Sequence, residues 1–142
     1  MGDVAVRVEG FFGGRLKWRS RRVVRKVRRR GWTGLLIQVD LRDPHRSMSP
    51  KWCLVSVGEG GRQFCGVDRT SIRKVRFVPL PPGPHVLRLE VLRYRRRRST
   101  WGEREVVLGE GDVLLVVCDP VQPHVFYRRS PEADTWSLQL LR

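Results

Sequence analysis

Between Arg76 and Val117 the chain cannot run as one long helix. Pro81-Pro82-Gly83-Pro84 interrupts it early: proline has no amide hydrogen to donate and cannot extend a ladder or a helix, so this run is a turn. After it, Leu87, Leu89 and Val91 alternate with Arg88 and Glu90, the two-residue period of a strand with one buried and one wet face. Gly109-Glu110-Gly111-Asp112 is a second turn, so 103–108 and 113–117 read as two strands of a hairpin.

The same grammar extends in both directions. Val4, Val6 and Val8 alternate with Ala5, Arg7 and Glu9 in a first strand running to Phe11 or Phe12 and closed by Gly13-Gly14. Leu35, Ile37, Val39 and Leu41 mark another strand, with 52–57 as its return after a loop from Asp43 to Pro50. Residues 63–67 and 124–127 are short apolar strands. Val75 and Phe77 lead into the proline run, and Trp136, Leu138 and Leu140 make the last strand. About nine short strands with Gly/Pro punctuation predict an all-β chain, an antiparallel β-sandwich of Ig-like type, with a small barrel as the alternative. Its core would hold Leu35/Ile37/Val39, Leu87/Leu89/Val91, Val113/Leu115/Val117 and Trp136/Leu138/Leu140. With 142 residues and no domain-sized linker, the expectation is a single domain over 1–142.

Residues 15–31, RLKWRSRRVVRKVRRRG, resist this grammar. As a helix, Leu16, Ser20, Val23, Val24 and Val27 form one stripe with arginines around the rest. As strands, the β-branched valines sit in a basic hairpin. Both readings stand at this level. The charge needs explaining either way: the chain carries a net +15, mostly from arginine, since Lys17, Lys26, Lys51 and Lys74 are its lysines. Such a balance attracts polyanions, although an arginine, glycine and valine bias is also what GC-rich coding produces.

Residues 80–89, LPPGPHVLRL, followed by 105–117, EVVLGEGDVLLVV, resemble the turn–strand and strand–turn–strand pattern of PEGA-type small β-sandwich modules. The resemblance lies in the second half of the chain. The four-letter PEGA signature is absent, with Pro82-Gly83-Pro84-His85 near its place, and the 15–30 segment has no counterpart. The resemblance implies a non-enzymatic accessory or surface-binding role and brings no catalytic residues with it.

Catalytic chemistry finds little footing. Cys53, Cys65 and Cys118 are odd in number and widely spaced, against a disulfide scaffold or a zinc site; each lies in or beside an apolar strand pattern, where free cysteine serves as a small hydrophobe, although Cys53 and Cys65 could face each other across a hairpin. His85 follows the proline turn and is expected to hydrogen-bond its backbone. Asp40, Asp43 and His45 sit in ordinary turn chemistry. Cys118 with His124 lacks an orienting third group. No metal, cofactor or enzyme activity is expected. No secretory signal pattern or membrane-length apolar run stands out, so a cytoplasmic location is expected.

Binding remains. Arg15, Lys17, Arg19, Arg21, Arg22, Arg25, Lys26, Arg28, Arg29 and Arg30 form one basic cluster, and Arg95, Arg96, Arg97 and Arg98 a second. Trp18, Trp32, Tyr94 and Trp101 lie beside them, a mixture suited to guanidinium forks and stacked rings. The leading expectation is a non-enzymatic partner-binding or assembly module that docks an acidic protein surface or self-associates through its arginine face. Nucleic-acid binding through phosphates is the alternative. Peripheral binding to an anionic membrane by an amphipathic 15–30 helix is the third.

Overall fold

A computed structural model describes residues 4–5, 7–9, 18–39, 52–58, 62–66, 75–92, 100–119 and 135–141. Its elements in chain order are β1 (Val4–Ala5), β2 (Arg7–Glu9), α1 (Trp18–Arg29), β3 (Gly34–Val39), β4 (Trp52–Val57), β5 (Arg62–Gly66), β6 (Val75–Pro79), β7 (Gly83–Leu92), β8 (Thr100–Leu108), β9 (Val113–Asp119) and β10 (Thr135–Leu141). They build two sheets. Sheet I has the order β1-β8-β7-β4-β5 and sheet II the order β2-β10-β9-β3-β6. The architecture is mostly β, sandwich-like and not closed, with one short helix.

The two sheets face each other through the residues the alternation marks. From sheet I, Cys53, Val55, Leu87, Leu89, Val91 and Leu108 meet Leu35, Ile37, Val39, Leu114, Val116, Cys118 and Trp136 from sheet II in one buried cluster. Each large side chain buried this way contributes about 1.5–3 kcal/mol. A second cluster lies on the outer side of sheet II, where Leu36, Val113, Leu115 and Val117 pack under Val27 of α1. The molecule therefore has three layers, sheet I, sheet II and α1.

This third layer corrects the expected inward face of β9, while Leu35, Ile37 and Val39 of β3 face the core as expected. β3 is buried at all six positions, and Val113 to Cys118 of β9 are buried throughout, because both faces of sheet II are covered. The inward set of β9 is Leu114, Val116 and Cys118, whereas Val113, Leu115 and Val117 face the helix. A strand buried on both sides reads as a continuous apolar run, so alternation cannot say which face looks inward.

The sheets are mixed rather than antiparallel. β3 pairs parallel with β9, β1 with β8, and β2 with β10. The Gly109–Asp112 turn, expected to close a hairpin, passes between the sheets instead. β8 belongs to sheet I and β9 to sheet II, so Gly109–Asp112 arches from one sheet to the other. β3 and β4 also lie in opposite sheets, and 52–57 is not the return partner of 34–39. The expected first strand is two pieces, β1 in sheet I and β2 in sheet II. β6 is a strand in its own right, antiparallel to β3. The β4–β5 hairpin and the final strand β10 form as expected.

The arch is tied at its foot. Asp112 accepts from the Gly109 amide through Oδ2 at 2.8 Å, and its own amide donates to the Gly109 carbonyl at 3.1 Å. Gly111 sits at φ 79°, a left-handed conformation that suits glycine. Its amide donates to Thr33 Oγ1 at 2.7 Å, while the Gly34 amide donates to the Asp112 carbonyl at 3.1 Å. The end of α1, the start of β3 and the arch are thereby one hydrogen-bonded unit. Gly34 is crowded as well: a Cβ there would run into the Val78 carbonyl and come within 2.9 Å of the Phe77 ring. Gly34→Ala is expected to cost about 1–3 kcal/mol through overpacking. Urea unfolding should show it as a lowered midpoint with an unchanged slope.

Candidate functional site

The 18–29 segment is helical because of what it lies on. Valine at 23, 24 and 27 has modest helix propensity, and the segment is too short to be stable alone in water. Docked on sheet II, Val27 is buried, Val23 and Val24 are partly buried against the same cluster, and Ser20 donates to Gln38 Oε1 at 2.6 Å. These are four of the five stripe positions of the helical reading; the fifth, Leu16, is outside the described residues. The helix stops at Gly31, φ 65°. The Gly31 amide donates to the Arg28 carbonyl at 3.1 Å and the Trp32 amide to the Val27 carbonyl at 3.0 Å, the paired bonds of a Schellman cap. The cap turns Trp32 back onto Phe77, ring centroids 6.2 Å apart and 22° between planes.

With the valine side facing sheet II, the opposite side is fixed by helical geometry. Positions 18, 22, 25 and 29 recur at i, i+4, i+7 and i+11, so Trp18, Arg22, Arg25 and Arg29 form a ridge pointing away from the sheet. Arg21 and Arg28 flank it on one side, Arg19 and Lys26 on the other, and all of these are exposed, as is Arg30 after the helix. The helix spans about 18 Å at 1.5 Å per residue. Trp18, at the head of the ridge, is 62% exposed, with the Arg19 and Arg22 guanidinium carbons 5.9 Å and 6.0 Å from its ring centroid. Arg30 lies 5.0 Å from the centroid of Trp32, which is 41% exposed at the other end. The face is thus bounded by two indoles, each accompanied by guanidinium.

α1 contains seven cationic residues and no carboxylate. Lys26, Arg28 and Arg29 in the last turn complement the helix dipole, whereas Arg19 and Arg21 near the start oppose it. Arg21/Arg25, Arg22/Lys26 and Arg25/Arg29 are like-charge neighbours four residues apart, each destabilising by about 0.2–0.5 kcal/mol. The docking contacts therefore hold together a surface whose charges repel, and a bound anion would relieve that repulsion.

The structure divides the residues singled out from sequence. Arg19, Arg21, Arg22, Arg25, Lys26, Arg28, Arg29, Arg30, Trp18 and Trp32 come together on α1 and its cap. Trp101 does not join them. It lies on the outer face of sheet I, on the far side of the sandwich, with the Arg88 guanidinium 4.3 Å from its centroid. Arg88 in turn pairs with Glu90 at 3.2 Å and Glu103 at 3.5 Å, so its positive charge is answered by two carboxylates of the same sheet. Arg15, Lys17, Tyr94 and Arg95 to Arg98 lie outside the described residues. The sequence gives no hint of the Arg88–Trp101 stack, because only the β7–β8 register, Glu90 beside Trp101 and Arg88 beside Glu103, brings those residues together.

His85 does what its position suggests: Nε2–H donates to the Pro81 carbonyl at 2.7 Å, closing the proline turn. Asp40, Asp43, His45 and His124 fall outside the described residues, among which no three His, Cys, Asp or Glu groups gather around a metal-sized space. No helix among the described residues is long and apolar enough to cross a membrane. No family model, curated protein or solved structure matches the chain.

The double substitution Arg22→Glu/Arg25→Glu places carboxylates four residues before Lys26 and Arg29. It should raise stability at low salt by roughly 0.5–1 kcal/mol. Thermal melts should show the gain shrinking as salt screens the pairs.

Proposed function

We propose that this chain is a non-enzymatic binding module, Ig-like or PEGA-like in character, that docks an acidic protein surface on the outer face of α1. The observation that carries the reading is the ridge of Trp18, Arg22, Arg25 and Arg29, flanked only by cations and mounted on a packed three-layer scaffold. Guanidinium forks suit carboxylates in pairs, and an exposed tryptophan among arginines has the composition of an interface anchor. The partner is read as a polypeptide because of what lies alongside. β6 is an edge strand of sheet II in contact with α1, and no strand among the described residues pairs with its other side. An extended acidic segment can add backbone pairing there while its carboxylates reach the helix. Self-association through the same edge is the homotypic version. The PEGA-type resemblance of 80–89 and 105–117 favours the same accessory role.

Nucleic acid is the second reading, supported by Trp18: a largely exposed indole flanked by Arg19 and Arg22 is a platform on which a base can stack. Attachment to a membrane by insertion has less behind it, because Val23, Val24 and Val27 face sheet II and the side of α1 left for a bilayer is cationic.

Fluorescence anisotropy with a labelled Asp/Glu-rich peptide and with single- and double-stranded oligonucleotides, over a salt series, separates these readings. The acidic peptide is expected to bind at physiological salt and to weaken as salt rises. Arg22→Glu/Arg25→Glu should weaken it at least tenfold, about 1.4 kcal/mol, while the protein stays folded. Tighter oligonucleotide than peptide binding would replace the first reading with the second. Binding of neither would end both.

A further inference from the structure

Cys53 and Cys118 are the chemistry the binding surface leaves unused. Cys53 is on β4 of sheet I and Cys118 on β9 of sheet II. Their side chains meet in the middle of the core with Sγ atoms 2.8 Å apart, both fully buried. That separation is within about 1 Å of the length of a disulfide bond. The residues are 65 positions apart, so a bond there would close a long loop and join the two sheets directly. Trp136, fully buried, is the Cα partner of Cys118 on β10 and belongs to the same cluster. From the sequence the cysteines read as small apolar residues, with Cys53 and Cys65 able to face each other across a hairpin. Their Cα atoms are indeed partners in the β4–β5 ladder, yet the Cys53 thiol contacts Cys118 across the core.

We propose that Cys53 and Cys118 form a disulfide-bonding site, a covalent tie between the sheets made when the chain folds in the presence of a small-molecule disulfide of the glutathione type. One protein thiolate attacks a sulfur of the donor, giving a mixed disulfide and releasing one donor thiolate. The second protein thiolate then attacks the protein sulfur of that mixed disulfide and releases the other donor thiolate. The two cysteines lose two protons and two electrons, and the donor disulfide is reduced to two thiols. Because both sulfurs are sealed in the core, the exchange takes place before the sheets close, and the finished bond is shielded from reductant afterwards.

The test is refolding of the reduced, denatured full chain with glutathione and glutathione disulfide, followed by alkylation and tryptic mapping without reductant. Cleavage after Lys and Arg places each cysteine in its own peptide, 52–62, 63–69 and 105–128. The expected product links 52–62 to 105–128. Its melting temperature should fall by roughly 10 °C when the bond is reduced after unfolding. Cys65→Ser should retain both the link and the shift, and Cys118→Ala should lose both. Alkylated Cys53 and Cys118 in the refolded protein, or 52–62 joined mainly to 63–69, would overturn the proposal. The wild-type map alone decides if either variant fails to fold.

Discussion

Burial of the outer face of sheet II under three valines of α1 is the contact on which the other features depend. Without it, Leu36, Val113, Leu115 and Val117 would lie open to water, a patch no soluble sheet leaves exposed without a partner. With it, β3 and β9 become interior strands covered on both sides. The helix is also held in one rotation about its axis, because Ser20 reaches Gln38 and the Gly31 cap sets Trp32 on Phe77. That rotation decides which residues look outward. The arginine ridge is the consequence of a packing solution, and its orientation is as well defined as the core beneath it.

How far the fold could be read from sequence depended on whether a strand has one wet face. β7 has, and Leu87, Leu89 and Val91 were legible as its buried side. β10 is buried at both Trp136 and Ser137, yet Trp136, Leu138 and Leu140 were legible as its core side because apolar and polar residues still alternate along it. β9 has no wet face from Val113 to Cys118, so the alternate residues taken for its inward side proved to be those under the helix. The 15–31 segment was ambiguous because its valines argue for a strand locally, and the argument for a helix comes from a surface formed by residues far later in the chain, Val113, Leu115 and Val117 among them. The arch at Gly109–Asp112 was recognisable as a turn. Whether a turn reverses within a sheet or crosses to the opposite one is set by the register of both neighbours, which no local pattern records.

The candidate site was legible in composition and illegible in shape. The arginines of α1 were visible as a cluster, but only the docked helix separates those on the ridge from those on its flanks. Trp18 and Trp32 kept their association with arginine, while Trp101 proved to belong with Arg88 and its two carboxylate partners, Glu90 and Glu103, on the other sheet. That contrast bears on function. One tryptophan–arginine group has two carboxylates beside it on its own sheet, whereas α1 contains seven cations and no carboxylate.

The parallel pairing of β3 with β9 also makes the cationic face depend on a distant part of the chain. α1 precedes β3 in the chain, but the floor it rests on includes Val113, Leu115 and Val117, and these take their places only when β9 settles alongside β3. A chain still being synthesised, or one cut before β9, would carry every arginine of the ridge and still lack the surface that orients them. The ordered cationic face therefore requires β9, and its presence reports that the sheet beneath it is assembled.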